Sequence, residues 1–490
     1  MILVSFLLLG CAQAPELQQT PQTLQTPPEL QSTAAQATAS VTAEPQASNS
    51  LDVVQTDAGL VKGKTEEGVR AYLGIPYAAA PTGELRWKPP QPIARWNGVL
   101  DVEEFASPCT QSLADVRIQH ETKNSTSEDC LYLNVWTPAK NAGEKLAVMA
   151  WIHGGAFAVG SGSMKEYYGK ELAKKGVVVV SLNYRLGPLG FLAHPELAAE
   201  SSNNASGNYG LLDQIAALQW VKKNVAAFGG DPERVTVFGE SAGSMSVSSH
   251  IASPLSKGLF EKGISESGTI FSLEYALADG DGSLESAFKT ARDYAERLGC
   301  SGENQLACLR NKTAEEIQNA TRSEALFGPV FDGWFFPEDP HAIFSQGKQN
   351  NVPLLIGFNA DEGSLFTNTS EASKEYRENA FVVPELLVAD SMKTPVYFYE
   401  FTRAPPTALG KRFGVYHSSE IPYVFGTLDA ADGYTEEDFA LSEKMMGYWT
   451  NFAETGDPNG VGLPEWPVYQ AQAREYLELG VNVTVKSGLS

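Results

Sequence analysis

Three apolar runs along the chain end abruptly in glycine-rich or acidic stretches, and the breaks organise the reading. The run LAVMAWI at 146–152 reads as a buried strand that passes straight into His153, Gly154, Gly155, Ala156 and Phe157. Residues 235–238, a short β-branched run, read as a parallel strand followed by Gly239, Glu240, Ser241, Ala242 and Gly243. The third, VPLLIGFNADEGS at 352–364, is an apolar strand ending at Asp361 and Glu362. Further on, RFGVYHSSEIPYVFG places a polar stretch with His417 between apolar ones, the pattern of a loop. The N-terminal 50 residues differ. The apolar run at 1–10 is too short to span a bilayer and reads as a signal-peptide core, and 12–50, rich in Gln, Pro, Thr and Ala, reads as a disordered tether. No other stretch approaches the roughly 18 consecutive apolar residues of a membrane span. The expected organisation is a leader at 1–11, a linker at 12–50 and one large domain at 51–490.

Composition changes this picture in two places. A formal charge of −23 and a pI near 4.7 oppose binding to nucleic acid or anionic lipid, and leave acidity as a matter of solubility. The cysteines point to export. Cys11 follows Leu8, Leu9 and Gly10 in a stretch that resembles a bacterial lipoprotein cleavage site, where the cysteine is lipidated; an ordinary secretory signal is the alternative. The other four fall into two close pairs, Cys109 with Cys130 and Cys300 with Cys308. Two disulfides are the simple reading, and four buried free thiols the other, since sequence alone does not fix connectivity. No Cys or His spacing fits a metal site, and no cofactor is expected.

The segment around Ser241 has the chemistry of a nucleophile elbow, Gly-x-Ser-x-Gly directly after a strand. Small residues let the chain turn sharply into a helix, which holds the serine oxygen exposed and aims free backbone N–H groups at it. The glycines after 146–152 supply a candidate oxyanion turn, because they let backbone donors approach a developing negative charge. In enzymes with such an elbow the acid and then the histidine follow the serine, which leaves His250, His341 and His417. His250 lies nine residues along the elbow helix, about 13 Å from Ser241 at 1.5 Å per residue, too far for a hydrogen bond. Only His417 follows the acidic strand end, where Asp361 and Glu362 remain alternatives.

With these residues in place the chain resembles the type B carboxylesterase and cholinesterase family, from about residue 51 to about 480. YLGIPYAAAPTGELRWKPP, SEDCLYLNVWTP, SLNYRLGPLGFL, GNYGLLDQIAALQWVKKNVAAFGGDPERVTVFGESAGS and YWTNFAETGDPNG carry the resemblance in order. It implies an α/β-hydrolase fold, a large and mostly parallel central sheet with helices on both faces. It implies a triad of Ser241, Glu362 and His417, which selects Glu362 over Asp361, and an oxyanion hole of the Gly155, Ala156 and Ala242 amides. Both cysteine pairs match the family's disulfides, and Arg86 with Glu128 and Arg185 with Asp213 match structural ion pairs. Glu240 matches a supporting acid beside the nucleophile.

The implied activity is hydrolysis of short- to medium-chain or aryl carboxylic esters through an acyl-enzyme. An amidase or carbamate hydrolase with the same triad, or a non-catalytic binding protein of the same fold, are the alternatives; the latter tends to lose a triad member, and all three are present.

Two departures from the family stand out. Ala156 replaces a third glycine found in many members, although His-Gly-Gly-Ala-Phe also resembles bacterial ones. Between Glu362 and His417 the chain passes from LFTNTSEASKEYREN directly to AFVVPELLVAD, where relatives carry several tens more residues that help wall the acyl pocket. The loop from Cys109 to Cys130 holds no Trp, Tyr or Phe, which argues against a dedicated choline-ester site. Sequons at Asn124 and Asn319 carry no weight beside a lipoprotein-like start.

Overall fold

The structure, a computed structural model, describes residues 51–112, 125–272, 282–321 and 327–489. The expected leader, Cys11, the tether and Asn124 lie outside the described residues.

In chain order the strands are β1 (Val53–Gln55), β2 (Leu60–Lys62), β3 (Lys64–Glu66), β4 (Val69–Pro76), β5 (Val99–Asp101), β6 (Tyr132–Thr137), β7 (Leu146–Ile152), β8 (Val178–Leu182), β9 (Gly230–Glu240), β10 (Lys262–Glu266), β11 (Leu354–Asn359), β12 (Val396–Phe401), β13 (Tyr476–Leu479) and β14 (Thr484–Lys486). β1, β2 and β5 form a 3-stranded sheet; the others form an 11-stranded sheet in the order β14-β13-β12-β11-β10-β9-β7-β8-β6-β4-β3. From β8 through β7, β9, β10, β11 and β12 to β13 every neighbouring pair is parallel.

The inner strands are apolar on both faces because both are covered. In β7 the two-residue period sends Val148, Ala150 and Ile152 into one core and Ala147, Met149 and Trp151 into the other. The helices Tyr209–Asn224 and Ala242–Ala252 contribute Leu211, Leu218, Val247 and Ile251 to the first core. The helix Glu436–Thr455 contributes Met445, Trp449 and Phe452 to the second. In the adjacent strands β7 and β9 the chain leaves in opposite directions, from β7 to β8 on one side and from β9 to β10 on the other, and such a switch point is the usual place for a ligand in these sheets.

The expected scaffold contacts are present. Cys109 is bonded to Cys130 and Cys300 to Cys308. Arg86 pairs with Glu128 at 2.5 Å, and the buried Arg185 with Asp213 at 2.6 Å. The connection between β11 and β12 includes a continuous helical stretch over 370–391, with a π turn (Glu378–Val382) between α-helical Ser370–Arg377 and Val383–Ser391. Among the described residues no helix is long and apolar enough to cross a membrane.

Candidate active site

Ser241 stands between the end of β9 and the helix Ala242–Ala252, with φ 56° and ψ −121°. A side chain rarely tolerates that backbone, so the surroundings must impose it. They do so through packing against the end of β7. A Cβ on Gly239 would come within 2.6 Å of the Ile152 carbonyl oxygen, and one on Gly243 within 1.9 Å. The two elbow glycines are therefore required by lack of space. The Ser241 N–H donates to the Glu266 carbonyl at 2.9 Å, which ties the elbow to β10.

The oxyanion candidates face this bend. A Cβ on Gly154 would stand 3.1 Å from that of Ser241. Gly155 (φ 104°), Ala156 (φ 56°) and Phe157 (φ 56°) follow in the left-handed region, so the position where the family's third glycine is replaced still adopts a glycine-like backbone. Among the described residues the amides of Gly155, Ala156 and Ala242 donate to no protein acceptor. The last of these is free because it opens a helix.

Of the two acids left open by the strand pattern, Glu362 meets His417. Its fully buried carboxylate holds His417 Nδ1 at 2.5 Å through Oε2, while Oε1 accepts the Asn359 N–H at 2.8 Å. Asp361 points elsewhere and accepts the Val415 N–H at 2.9 Å, fastening the loop that carries His417. The other imidazole nitrogen departs from expectation. His417 Nε2 faces Glu240 Oε1 at 3.2 Å, and among the described residues Ser241 Oγ makes no hydrogen bond. The cause is electrostatic, because the ring lies between two buried carboxylates that draw both nitrogens. Glu240, expected as a background support, thus touches the imidazole directly, and Ser418 Oγ donates to the same oxygen at 2.6 Å.

Burial disfavours the imidazolium, but the charges of Glu240 and Glu362 and the Glu362 hydrogen bond outweigh it, raising His417 to about 9. Burial likewise raises Glu240 to about 7, against the opposing pull of His417 and Ser418. Three further acids lie around this pair. Glu420 accepts from Asn359 Nδ2 and Ser267 Oγ, and burial with the Glu240 and Glu362 charges pushes it up to about 8. Glu266 accepts from the Trp449 indole at 2.8 Å, and Glu385 from the Gly268 amide at 2.9 Å; burial pushes both well above the ordinary range.

These three were not singled out by the sequence pattern, although Glu385 is the one acid inside the apolar run AFVVPELLVA, a signal that was there to be read. The rings of Phe366 and Phe381 both lie 5.2 Å from the His417 ring, and Phe366 is 48% exposed. The discarded histidines have other partners. His250 bonds Ser256 and Gln214, and burial lowers it to about 3; His341 stacks on Phe271 at 4.3 Å. Among the described residues no group of His, Cys, Asp and Glu is placed to hold a metal ion.

A strained serine on a strand-to-helix bend, a histidine held by a buried acid and free amides across the crevice are the parts that acyl transfer requires. Comparison with known proteins bears on the same point. The model of the carboxylesterase family matches residues 50–382 and 367–490, and the two matches overlap in the helical connection before β12. A para-nitrobenzyl esterase of Bacillus subtilis (strain 168) is 37% identical, over 89% of this chain and 96% of its own. A human cocaine esterase is 36% identical, over 88% and 86%. Among solved structures, a para-nitrobenzyl esterase superposes with a TM-score of 0.80 at 35% identity, covering 90% of this chain and 97% of its own. A carboxylesterase of Geobacillus stearothermophilus gives 0.78 at 33% identity, covering 89% and 98%. The chain has the α/β-hydrolase fold and belongs to the type B carboxylesterase family, whose reaction, carboxylic-ester hydrolysis, is the one it performs.

Proposed function

We propose that Ser241, His417 and Glu362 hydrolyse the ester in two acyl-transfer steps. Ser241 Oγ attacks the ester carbonyl while His417 takes its proton, and Glu362 holds the imidazole tautomer and stabilises its charged form. The amides of Gly155, Ala156 and Ala242 receive the oxyanion. His417 then protonates the departing alcohol, and water repeats the sequence to release the acid and free Ser241. The observation that carries this reading is the 2.5 Å contact of His417 Nδ1 with the buried Glu362, beside the strained Ser241.

Glu240 Oε1 lies 3.2 Å from His417 Nε2, so a short movement of the ring from Glu240 toward Ser241 Oγ is part of the cycle. Short- to medium-chain and aryl esters are the proposed substrates, in keeping with the aromatic rings of Phe366 and Phe381 beside His417. The two disulfides support an exported protein. A lipid anchor at Cys11 is part of the same proposal and would appear as acylated Cys11 in the N-terminal peptide by mass spectrometry.

The functional test is hydrolysis of p-nitrophenyl esters from acetate to decanoate by the wild type and by Ser241→Ala. The expected loss in the variant is about 10⁴-fold or more in kcat. A variant that retains wild-type turnover contradicts the assignment.

A further inference from the structure

The helical stretch over 370–391 carries one group that the chemistry above leaves unused. Glu371, Glu375 and Asp390 on this stretch are exposed, whereas Glu385 is fully buried. It follows the π turn Glu378–Val382, which also brings Phe381 against His417; such turns inside helices are frequent at functional sites.

Glu385 Oε1 accepts the Gly268 N–H at 2.9 Å, and among the described residues Oε2 has no hydrogen-bond partner. Gly268 ends a turn of three residues, each of which touches a different part of the site. The Glu266 carbonyl accepts the Ser241 N–H at 2.9 Å. Ser267, at φ 57°, donates through Oγ to Glu420 Oε1 at 3.3 Å. The Gly268 carbonyl accepts the Ser244 hydroxyl from the nucleophile helix, and a Cβ on Gly268 would stand 3.4 Å from the Ser241 carbonyl oxygen. A buried amide in such a turn costs free energy unless it is capped, and Glu385 caps it. Two carboxylates, Glu362 and Glu420, and the Arg377 guanidinium act on Glu385. Burial and the two carboxylates favour its neutral form, and the Gly268 hydrogen bond and Arg377 oppose them without prevailing.

We propose that Glu385 is a positioning residue for ester hydrolysis: as the acceptor on the Gly268 amide it fixes the turn after β10 against Ser241. The shortened connection thereby supports the nucleophile from its own helix. This rests on the reading of Ser241 as nucleophile.

The test compares Glu385→Ala and Glu385→Gln in the full chain with p-nitrophenyl acetate, across pH and with thermal melts. Glu385→Ala is expected to lower kcat by about 10-fold or more with KM within about twofold, because small misplacements of a nucleophile cost rate before they cost binding. Glu385→Gln keeps an acceptor and mimics the neutral acid. It is expected to restore kcat to within about threefold and to leave the acid limb of the kcat/KM profile at the wild-type midpoint. An alanine variant as fast as wild type, or a glutamine variant as slow as the alanine one, overturns the positioning role.

A glutamine variant whose acid limb moves down by about one unit overturns the neutral form, since removing a nearby negative charge lowers the His417 pKa. If the alanine variant does not fold, the glutamine variant decides alone: a rate kept within about threefold supports the role, a loss of about 10-fold or more overturns it, and the limb bears on the neutral form only. Ser241→Ala, run alongside, separates the two readings. Its retention of wild-type activity would overturn the nucleophile and this inference together, whereas the Glu385 outcomes bear on the inference only.

Discussion

The two sides of the active site are built in different ways. On the side of the proposed nucleophile, Gly239 and Gly243 crowd the Ile152 carbonyl at the end of β7, Gly154 crowds Glu240 and Ser241, and the left-handed turn from Gly155 to Phe157 carries two of the proposed oxyanion amides. On the opposite side, the helical stretch over 370–391 and the loop around His417 are held by buried carboxylates, Glu240, Glu362, Glu385 and Glu420, and by the rings of Phe366 and Phe381. The first arrangement tolerates almost no substitution, because the contacts are with main chain that cannot move. The second is built from side chains, so charge and ring size can change there without displacing main chain. On the proposed mechanism, the geometry is rigid where the oxyanion would form and adjustable around the imidazole.

The sharpest way to break this comparison is Gly243→Ala. Its Cβ would meet the Ile152 carbonyl oxygen at 1.9 Å, so the elbow must shift. A stability loss of about 3 kcal/mol, read by denaturant melts, and near-background hydrolysis are expected. Glu240→Gln probes the charged side. Removing the negative charge beside Nε2 lowers the His417 pKa from about 9, so the acid limb of kcat/KM should move to lower pH by about one unit, with the fold intact. An unmoved limb would mean that Glu240 does not control the imidazole charge. Phe366→Ala is the mildest change, because the ring is half exposed. It should leave acetate hydrolysis within about threefold while lowering kcat/KM for longer acyl chains by a further few-fold, the scale of lost apolar contact.

The rigid side was largely legible in the sequence, because its constraints are local. Gly239 and Gly243 flank Ser241 within one motif, and the His153-Gly154-Gly155 turn directly continues an apolar strand. His417 emerged by elimination from chain order, but the choice between Asp361 and Glu362 did not come from the strand pattern. Adjacent residues on a bend point in different directions, and only the packed structure shows Asp361 on the Val415 amide and Glu362 on the imidazole.

The carboxylate cluster was legible least. Glu266, Glu385 and Glu420 come from three separate segments and become neighbours only when the sheet ends and the helical stretch converge. The direct contact between Glu240 and Nε2 was also missed, because it depends on the charge balance around a buried ring and not on spacing. The shortened connection was visible as a gap in the resemblance, while its single helical path and π turn were not.

The central claim is that Ser241 is the group that forms the acyl-enzyme. The most direct measurement is to inactivate the full chain with diethyl p-nitrophenyl phosphate, which phosphorylates an activated serine, and to locate the adduct by peptide mass spectrometry. The account predicts one diethylphosphoryl group on the peptide containing Ser241, accumulating in step with the loss of ester hydrolysis. Inactivation with the adduct on a different side chain, or with Ser241 unmodified, would contradict it.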